Sequence, residues 1–391
     1  MKIAMVYNYD PLTPEMGGGR TYAENLVDFL VNRGIDVKLF GINKSNSDSE
    51  EYRKFDYQFI PVTKRTILNR GDVGTWWKYL IRLFIIVPFQ ELSADTIVHS
   101  HRTYFMLPFI LLKPKNPKIC TLHMKPLEFM KVEYPQYHRF INRLHKIIEG
   151  YCLKRMNLAI AINETVKQAY IERYPFLEGK ISVILGSGVD LNKLKPLDQL
   201  KTRKELGFNS DDILILFVGR IEKIKNISFL INSFALLSEK VQNTRLLVAG
   251  RGSEMSNLES LVRTLNLGDK VNFVGEISPD KIQNIYNCAD VFAITSYSES
   301  SPTVVREALA CGVPIVTTNI GDVNEILKDD YCGTVVKNND PNEFQSALIE
   351  MINRIRNDPE LMRSRCRSLA VEKFGFAEIG DKVIDIYSNC K

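Results

Sequence analysis

The sequence predicts an α/β protein of two similar halves, each a parallel sheet with helices on both faces. Three observations lead there. At roughly 150 residues per domain, the 391 residues suffice for two domains of ordinary size, or two plus an appendage. Short β-branched runs alternate with longer amphipathic segments, the pattern of strands linked by crossover helices. That series occurs twice, before and after the Pro- and Lys-containing stretch Asp190 to Lys204.

In order, the predicted strands of the first half are Ile3 to Tyr7, Val37 to Gly41, Thr96 to Ser100, Ile119 to Leu122, Leu158 to Ile162 and Ile181 to Leu185. Those of the second half are Ile213 to Val218, Arg245 to Ala249, Val271 to Val274, Val291 to Thr295, Pro314 to Thr317 and Gly333 to Val335. Helices fill the intervals. Phe374 to Lys391 reads as a separate helix able to strap the halves together. The expected division is 1–192, 193–372 and a terminal helix over 373–391. No repeat with a period of roughly 20 to 50 residues is visible, which sets aside solenoids and propellers.

Composition narrows the class. With 45% hydrophobic, 25% charged and 10% aromatic residues, the chain carries enough apolar material for packed cores. Its seven cysteines are odd in number and form no C-x-x-C pair, so neither a disulfide framework nor a zinc site is expected, and a reducing compartment fits. The N-terminal run reaches Asp10 too soon for a signal-peptide core. The longest apolar stretches, Leu80 to Phe89 and Phe105 to Leu112, fall short of the roughly 18 apolar residues that cross a bilayer. The expectation is a cytoplasmic protein. A net charge of +5 is too mild to imply nucleic acid, but residues 64 to 155 hold 16 Lys or Arg against 6 Asp or Glu.

The chemistry is densest from Ser296 to Pro314, immediately after a buried strand. A helix starting near Pro302 or Thr303 places proline in its tolerated first turn, and the free N–H groups there form an anion site reinforced by the helix dipole. Glu299 then stands in the loop before the helix and Glu307 about one turn inside it, where an ionised carboxylate can accept both hydroxyls of a ribose. At the head of the second half, Phe217-Val218-Gly219-Arg220 ends a strand and is followed by Lys225 and Asn226. In the first half, Gly17, Gly18 and Gly19 precede an amphipathic run, and His99, His101 and His123 fall near predicted strand ends. Gly17-x-Gly19 lacks its third glycine, as does Gly250-x-Gly252, so neither supports NAD. No D-x-D triplet and no His/Cys/Asp cluster at ligand spacing is present, so no metal and no other cofactor is expected.

The stretch around the two glutamates resembles the donor-site signature of retaining glycosyltransferases of family 4. In that family, two glutamates separated by seven residues lead into E-A-(M/L)-A-x-G-x-P-(I/V)-V. Here Glu299-x7-Glu307 is followed by Ala308-Leu309-Ala310-Cys311-Gly312-Val313-Pro314-Ile315-Val316. Ser300-Ser301-Pro302 replaces the common Gly-Phe-Gly, so phosphate donation shifts to the amides of Ser301, Thr303 and Val304, since Pro302 has no N–H. Gly219-Arg220 with Lys225 looks like the family's G-R-x4-K-G element, with Asn226 for glycine. Thr121-Leu122-His123 looks like its T-x-H element, His99 and His101 like its H-x-H strand end, and Gly186-Ser187-Gly188-Val189-Asp190 like its interdomain N-G-V-D turn. Val271 to Gly275 is similar to the strand near the nucleotide base.

The resemblance implies a GT-B fold, two Rossmann-like domains facing across a cleft, with the donor bound mainly by the second. It assigns Arg220 and Lys225 to the diphosphate, Glu307 to the ribose, Val274 to the base, Glu299 to the transferred sugar, and Gly18 and Gly19 to a loop over the diphosphate. His123 becomes the catalytic-site histidine, with His99 and His101 as structural support. The implied reaction is metal-independent transfer of a hexose-type sugar with retention, from a nucleotide diphosphate sugar to a glycan, lipid-linked or small-molecule acceptor. Two rivals use the same motifs: a nucleotide-sugar epimerase of the same fold, and a catalytically silent nucleotide-binding scaffold.

The basic stretch bears on the acceptor. Trp76, Trp77, Lys78 and Arg82 precede the apolar run to Phe89, and Lys125, Lys131, Arg139, Arg143, Lys146, Lys154 and Arg155 follow. Lys78 and Arg82 share one helix face. An interfacial helix on the anionic cytoplasmic leaflet has this composition, and so does a buried helix with two solvated cations.

Overall fold

The computed structural model describes residues 1–391 except 14–17, 44–49, 65–73, 127–137, 187, 279, 329–330 and 391, together with the side chains of 64, 74–76 and 138–142. Gly17, Lys131 and Ser187, and the side chains of Trp76, His138 and Arg139, lie outside the described residues.

The chain forms two compact units, one of Met1–Ser187 with Ala377–Lys391 and one of Gly188–Phe376. The first contains strands β1 (Lys2–Val6), β2 (Asp36–Asn43), β3 (Gln58–Lys64), β4 (Ile97–Ser100), β5 (Lys118–Leu122), β6 (Leu158–Ala161) and β7 (Ile181–Val183). The second contains β8 (Ile213–Val218), β9 (Thr244–Ala249), β10 (Val271–Gly275), β11 (Val291–Ile294), β12 (Ile315–Thr318) and β13 (Gly333–Val336). All named pairings are parallel, in the orders β3-β2-β1-β4-β5-β6-β7 and β10-β9-β8-β11-β12-β13.

Helices cover both faces of such sheets, so their central strands are buried on both sides and read as continuous apolar runs. β4, β5, β11 and β12 contain only buried residues. In each sheet the chain order reverses once, between β1 and β4 and between β8 and β11. A crevice opens at the carboxyl ends of the two strands flanking such a reversal.

One strand escaped the sequence reading. β3 carries Pro61, which cannot donate to a ladder, and proline is tolerated only at a sheet edge or bulge. β3 is the edge strand, and its register with β2 shifts next to the pairing of Gly41 with Pro61.

The unit boundaries differ from the expected 192/193 and 372/373 by a few residues. The physical reason is a backbone clasp: the Val189 N–H donates to the Phe374 carbonyl (2.8 Å) and the Phe376 N–H to the Val189 carbonyl (3.1 Å). This keeps 188–192 and 373–376 together in the second unit.

The terminal helix Phe376–Ser388 then packs in the first unit against the helix Gly18–Asn32. Gly380 makes the contact close, since a Cβ there would lie 2.4 Å from the Phe29 ring. Arg33 pairs with Asp381 at 2.9 Å, and the Tyr387 hydroxyl bonds His99 at 2.5 Å. Gly380→Val should therefore push the helix off Phe29 and lower stability by about 1–3 kcal/mol, as overpacking does. Urea unfolding checks this, and an unchanged midpoint contradicts the packing.

Candidate active site

The second unit places the predicted motifs around its strand reversal. β8 leads into Gly219, Arg220 and a short helical turn Lys223–Lys225, while β11 leads into the loop of Glu299 and the helix Thr303–Ala310. Asn226, where the family motif has glycine, adopts φ 50° and ψ 43°. That left-handed conformation favours glycine and accepts asparagine better than other residues, which explains the exchange.

Two close backbone approaches position Arg220 and Lys225. A Cβ on Gly250 would lie 1.8 Å from the Gly219 carbonyl oxygen, and one on Gly252 would lie 2.0 Å from that of Ile221. The pair dismissed as a dinucleotide motif is thus the bed on which the cationic loop rests. The Ile221 N–H donates to the Arg251 carbonyl (2.8 Å), and the Tyr297 N–H ties the Glu299 loop to the Ile224 carbonyl (2.9 Å). The Lys225 ammonium then contacts Glu299, whose Oε1 also accepts from Ser296 Oγ at 3.0 Å. Arg220 is exposed and has no side-chain hydrogen bond or ion pair among the described residues.

The start of the helix Thr303–Ala310 is held from below. Arg306 and Asp322, both fully buried, pair at 2.5 Å, and Ser301 Oγ donates to the same Asp322 oxygen at 2.9 Å. Arg306 also donates to the Pro302 carbonyl at 3.3 Å. Breaking such a buried pair by removing one partner leaves an uncompensated charge and costs about 3–5 kcal/mol. Arg306 lies within the motif between the two glutamates, yet nothing in its spacing marks it as the helix anchor; only the contact with distant Asp322 does.

Pro302 is the N-cap residue and supplies no side-chain cap. The first turn therefore keeps amides that helix geometry itself does not pair. Thr303 and Val304 are half-buried there, and Ser301 sits just outside the helix.

Glu307 lies on the next turn. Its Oε2 accepts from the Tyr286 hydroxyl at 2.6 Å. Burial raises its pKa and the tyrosine hydrogen bond lowers it, with burial the stronger effect. Tyr286 gave no signal in the sequence. Val274 belongs to edge strand β10 and falls where the register with β9 skips from Phe273 to Gly275. A bulged residue leaves the ladder, and Val274 stands at the carboxyl end of the sheet. The structure thus brings Lys225 to Glu299, sets Glu307 against Tyr286, and leaves Arg220 on the exposed loop.

In the first unit, three imidazoles stack at the carboxyl ends of β4 and β5. His99 and His101 have centroids 4.8 Å apart, His101 and His123 5.1 Å. Gly18 and Gly19 open the helix Gly18–Asn32 instead of forming a loop, and a Cβ on Gly19 would lie 3.6 Å from the His123 ring. His101, read from sequence as support, bonds His123 directly, Nδ1 to Nε2 at 2.8 Å, and its own Nε2 lies 3.1 Å from Met5 Sδ.

Sulfur has no proton to give, so a hydrogen bond there requires His101 Nε2–H. The His101 Nδ1 lone pair then accepts His123 Nε2–H, which leaves His123 Nδ1 as an acceptor. Burial holds the pKa of His99 and His123 down at about 3 and that of His101 well below its usual value. All three are neutral at pH 7.

Two outcomes follow. Since the folded pKa values of His99 and His123 lie below the unfolded value near 6.5, the unfolded chain binds protons that the folded chain does not. Stability is lost as pH falls from about 6.5 toward 3, by up to about 1.4 kcal/mol per pH unit for each imidazole. Urea unfolding at pH 7, 6 and 5 should show a shallower loss in His123→Asn than in the wild type; equal slopes contradict the buried neutral state. Separately, Gly252→Ala should displace the Ile221 backbone and destabilise the chain by about 1–3 kcal/mol. Urea unfolding checks it, and an unchanged midpoint contradicts the role given to Gly252.

Geometry of this kind, paired cations and a helix N-terminus at the reversal of an open parallel sheet, belongs to Rossmann-like proteins that bind phosphate-bearing ligands. Two family models match in succession, Glycosyltransferase Family 4 over residues 16–193 and Glycosyl transferases group 1 over residues 198–367. A D-inositol 3-phosphate glycosyltransferase of Mycolicibacterium vanbaalenii is 32% identical, over 88% of this chain and 79% of its own. The sucrose-phosphate synthase of Thermosynechococcus elongatus superposes with a TM-score of 0.79 at 22% identity, covering 99% of this chain and 98% of that one. Anabaena HepE, solved with UDP-glucose, superposes with a TM-score of 0.73 at 17% identity over 100% of both chains. The chain belongs to the group 1 glycosyltransferases, with the two Rossmann-like units of the GT-B fold.

Proposed function

We propose that this chain transfers a hexose-type sugar from a nucleotide diphosphate sugar to a glycan, lipid-linked or small-molecule acceptor, in polysaccharide or glycoconjugate synthesis. The reaction retains anomeric configuration and needs no metal. The observation that supports this most is the grouping of Arg220 and Lys225 after β8 with Glu299 and the helix Thr303–Ala310 after β11, on either side of one strand reversal. A neighbouring fold solved with UDP-glucose agrees with such a donor.

In this reading the bond between the sugar and the diphosphate breaks and negative charge grows on the leaving phosphate. Arg220 and Lys225, with the amides of Ser301, Thr303 and Val304, stabilise that charge as it develops, the part a metal ion plays elsewhere. Glu307 accepts the ribose hydroxyls, and the backbone at Val274 meets the base. Glu299 has two tasks: it holds Lys225 in place and accepts from hydroxyls of the transferred sugar. His123, whose free nitrogen is an acceptor, takes a hydrogen bond from a sugar hydroxyl, with Gly19 leaving room beside it. The acceptor oxygen bonds to the anomeric carbon on the face the diphosphate leaves, and the leaving phosphate takes the acceptor's proton.

A thermal-shift screen of nucleotide sugars identifies the donor, because a ligand selective for the folded chain raises its midpoint. With that donor, Arg220→Ala should lower kcat by about 10² to 10³. Glu307→Ala should weaken donor binding at least about tenfold, the worth of a hydrogen bond to a charged group. Unchanged affinity and turnover in both variants would defeat the assignment, and an epimerised sugar formed from donor alone would favour isomerisation.

A further inference from the structure

One outer face of the first unit is apolar and basic at once. The helix Gly74–Ile86 turns Tyr79, Leu80 and Leu83 inward, with the Tyr79 hydroxyl on the Phe40 carbonyl at 2.7 Å. Outward, at successive turns, it exposes Trp77, Ile81 and Ile85 (59% and 53% exposed for the two isoleucines), and the next turn adds Phe89 at 81%. Lys78 and Arg82 are exposed alongside. The helix Leu107–Leu112 packs next to it and exposes Leu111 and Leu112. The helix His138–Lys154, on the turn Thr103–Met106 that joins these elements, exposes Leu144 and Ile147 among Arg143, Lys146 and Lys154.

The crossovers from β3 to β4, β4 to β5 and β5 to β6 all run the same way across the sheet. Right-handed connection therefore puts the three helices on one face. Their sequences contain one carboxylate, Glu149, and it points inward: it is 3% exposed and accepts from Thr103, Tyr170 and Tyr174. Beyond the last helix, Lys154, Arg155 and Lys180 line a cavity of about 430 Å³ with no acidic residue.

We infer that this face docks on an anionic lipid surface. Isolated exposed apolar residues are ordinary, but a continuous stripe of them needs a partner. Cations along the stripe and the lack of an outward carboxylate on these three helices select a negatively charged partner, while the exposed Glu164 and Glu172 of the helix Glu164–Arg173, whose β6-to-β7 crossover runs the same way, border the face. A bilayer supplies both the apolar layer and the charge, and a 13-residue helix fits its interface without crossing it. Among the described residues no helix is long and apolar enough to cross a membrane. Docking would hold the chain beside lipid-borne acceptors, yet the inference stands apart from the donor reading, since binding to vesicles needs no nucleotide.

The test is flotation of the full chain with vesicles of phosphatidylcholine alone and of phosphatidylcholine with 30 mol% phosphatidylglycerol as about a third anionic lipid, at low and high salt. Trp77 stands on this face, and the chain's other tryptophan is its neighbour in sequence, so intrinsic fluorescence follows this helix without any substitution. Expected are at least about tenfold stronger binding to the anionic vesicles, weakened by salt, and a blue shift of tryptophan emission. The exposed triple variant Ile81→Ser/Ile85→Ser/Phe89→Ser should lose about tenfold or more, while Leu200→Ser, exposed in the second unit, should bind as the wild type does.

Absence of binding to anionic vesicles overturns the inference. So does binding without a tryptophan shift, or a folded triple variant that binds unchanged. A dimer in sedimentation that the triple variant disperses, with no vesicle binding, would assign the face to a second copy instead.

Discussion

A lysine ammonium and a glutamate carboxylate held against each other at the carboxyl edge of β8 and β11 set the terms for the rest of the second unit. Lys225 and Glu299 are both half-buried. A cation in that position needs a counter-charge, because neither charge is stable alone away from water. The pair therefore keeps both charges in place at the carboxyl ends of β8 and β11. Thr295 reinforces this by sharing its hydroxyl proton between the carbonyls of Lys225 and Asn226, which ties the two loops together.

Support for that pair comes from outside both loops. Gly250 and Gly252 let the end of β9 lie against the backbone from Gly219 to Ile221 with no Cβ between. On the other side, Asp322 accepts from Ser301 and Arg306 together and so fixes the helix that carries Glu307. Neither Arg306 nor Asp322 needs to meet a ligand. Their contribution is to fix where the helix begins, and an anion site made of backbone amides is only as well placed as that start.

The first unit works with uncharged groups. Its three histidines stay neutral through burial and through bonds to Thr121, Tyr387, Met5 and one another. Neutrality makes His123 an acceptor rather than a cation. On two of its outer helices exposed cations stand beside exposed aliphatic side chains, while Glu149 is turned into the core.

Much of this was legible in the sequence. Twelve of the thirteen strands among the described residues were, because a parallel sheet covered on both faces demands continuous apolar runs, and such runs are visible without a partner. The glutamate pair and the Gly219 to Asn226 element were legible too, since their spacing along one loop or helix is a local property. What stayed hidden depends on residues far apart in the chain. β3 was masked by Pro61, and only its place at the sheet edge makes that proline tolerable. Gly250 and Gly252 looked like a failed dinucleotide motif until the loop after β8 was seen resting on them. The roles of Arg306, Asp322, Tyr286 and His101 rest on contacts with partners 16 to 96 positions away. By itself, then, the sequence determined the alternation of strands and helices and which motifs follow β8 and β11. The tertiary structure decided their orientation, protonation and support, because burial and hydrogen-bond partners are set by packing between distant segments, which no local pattern encodes.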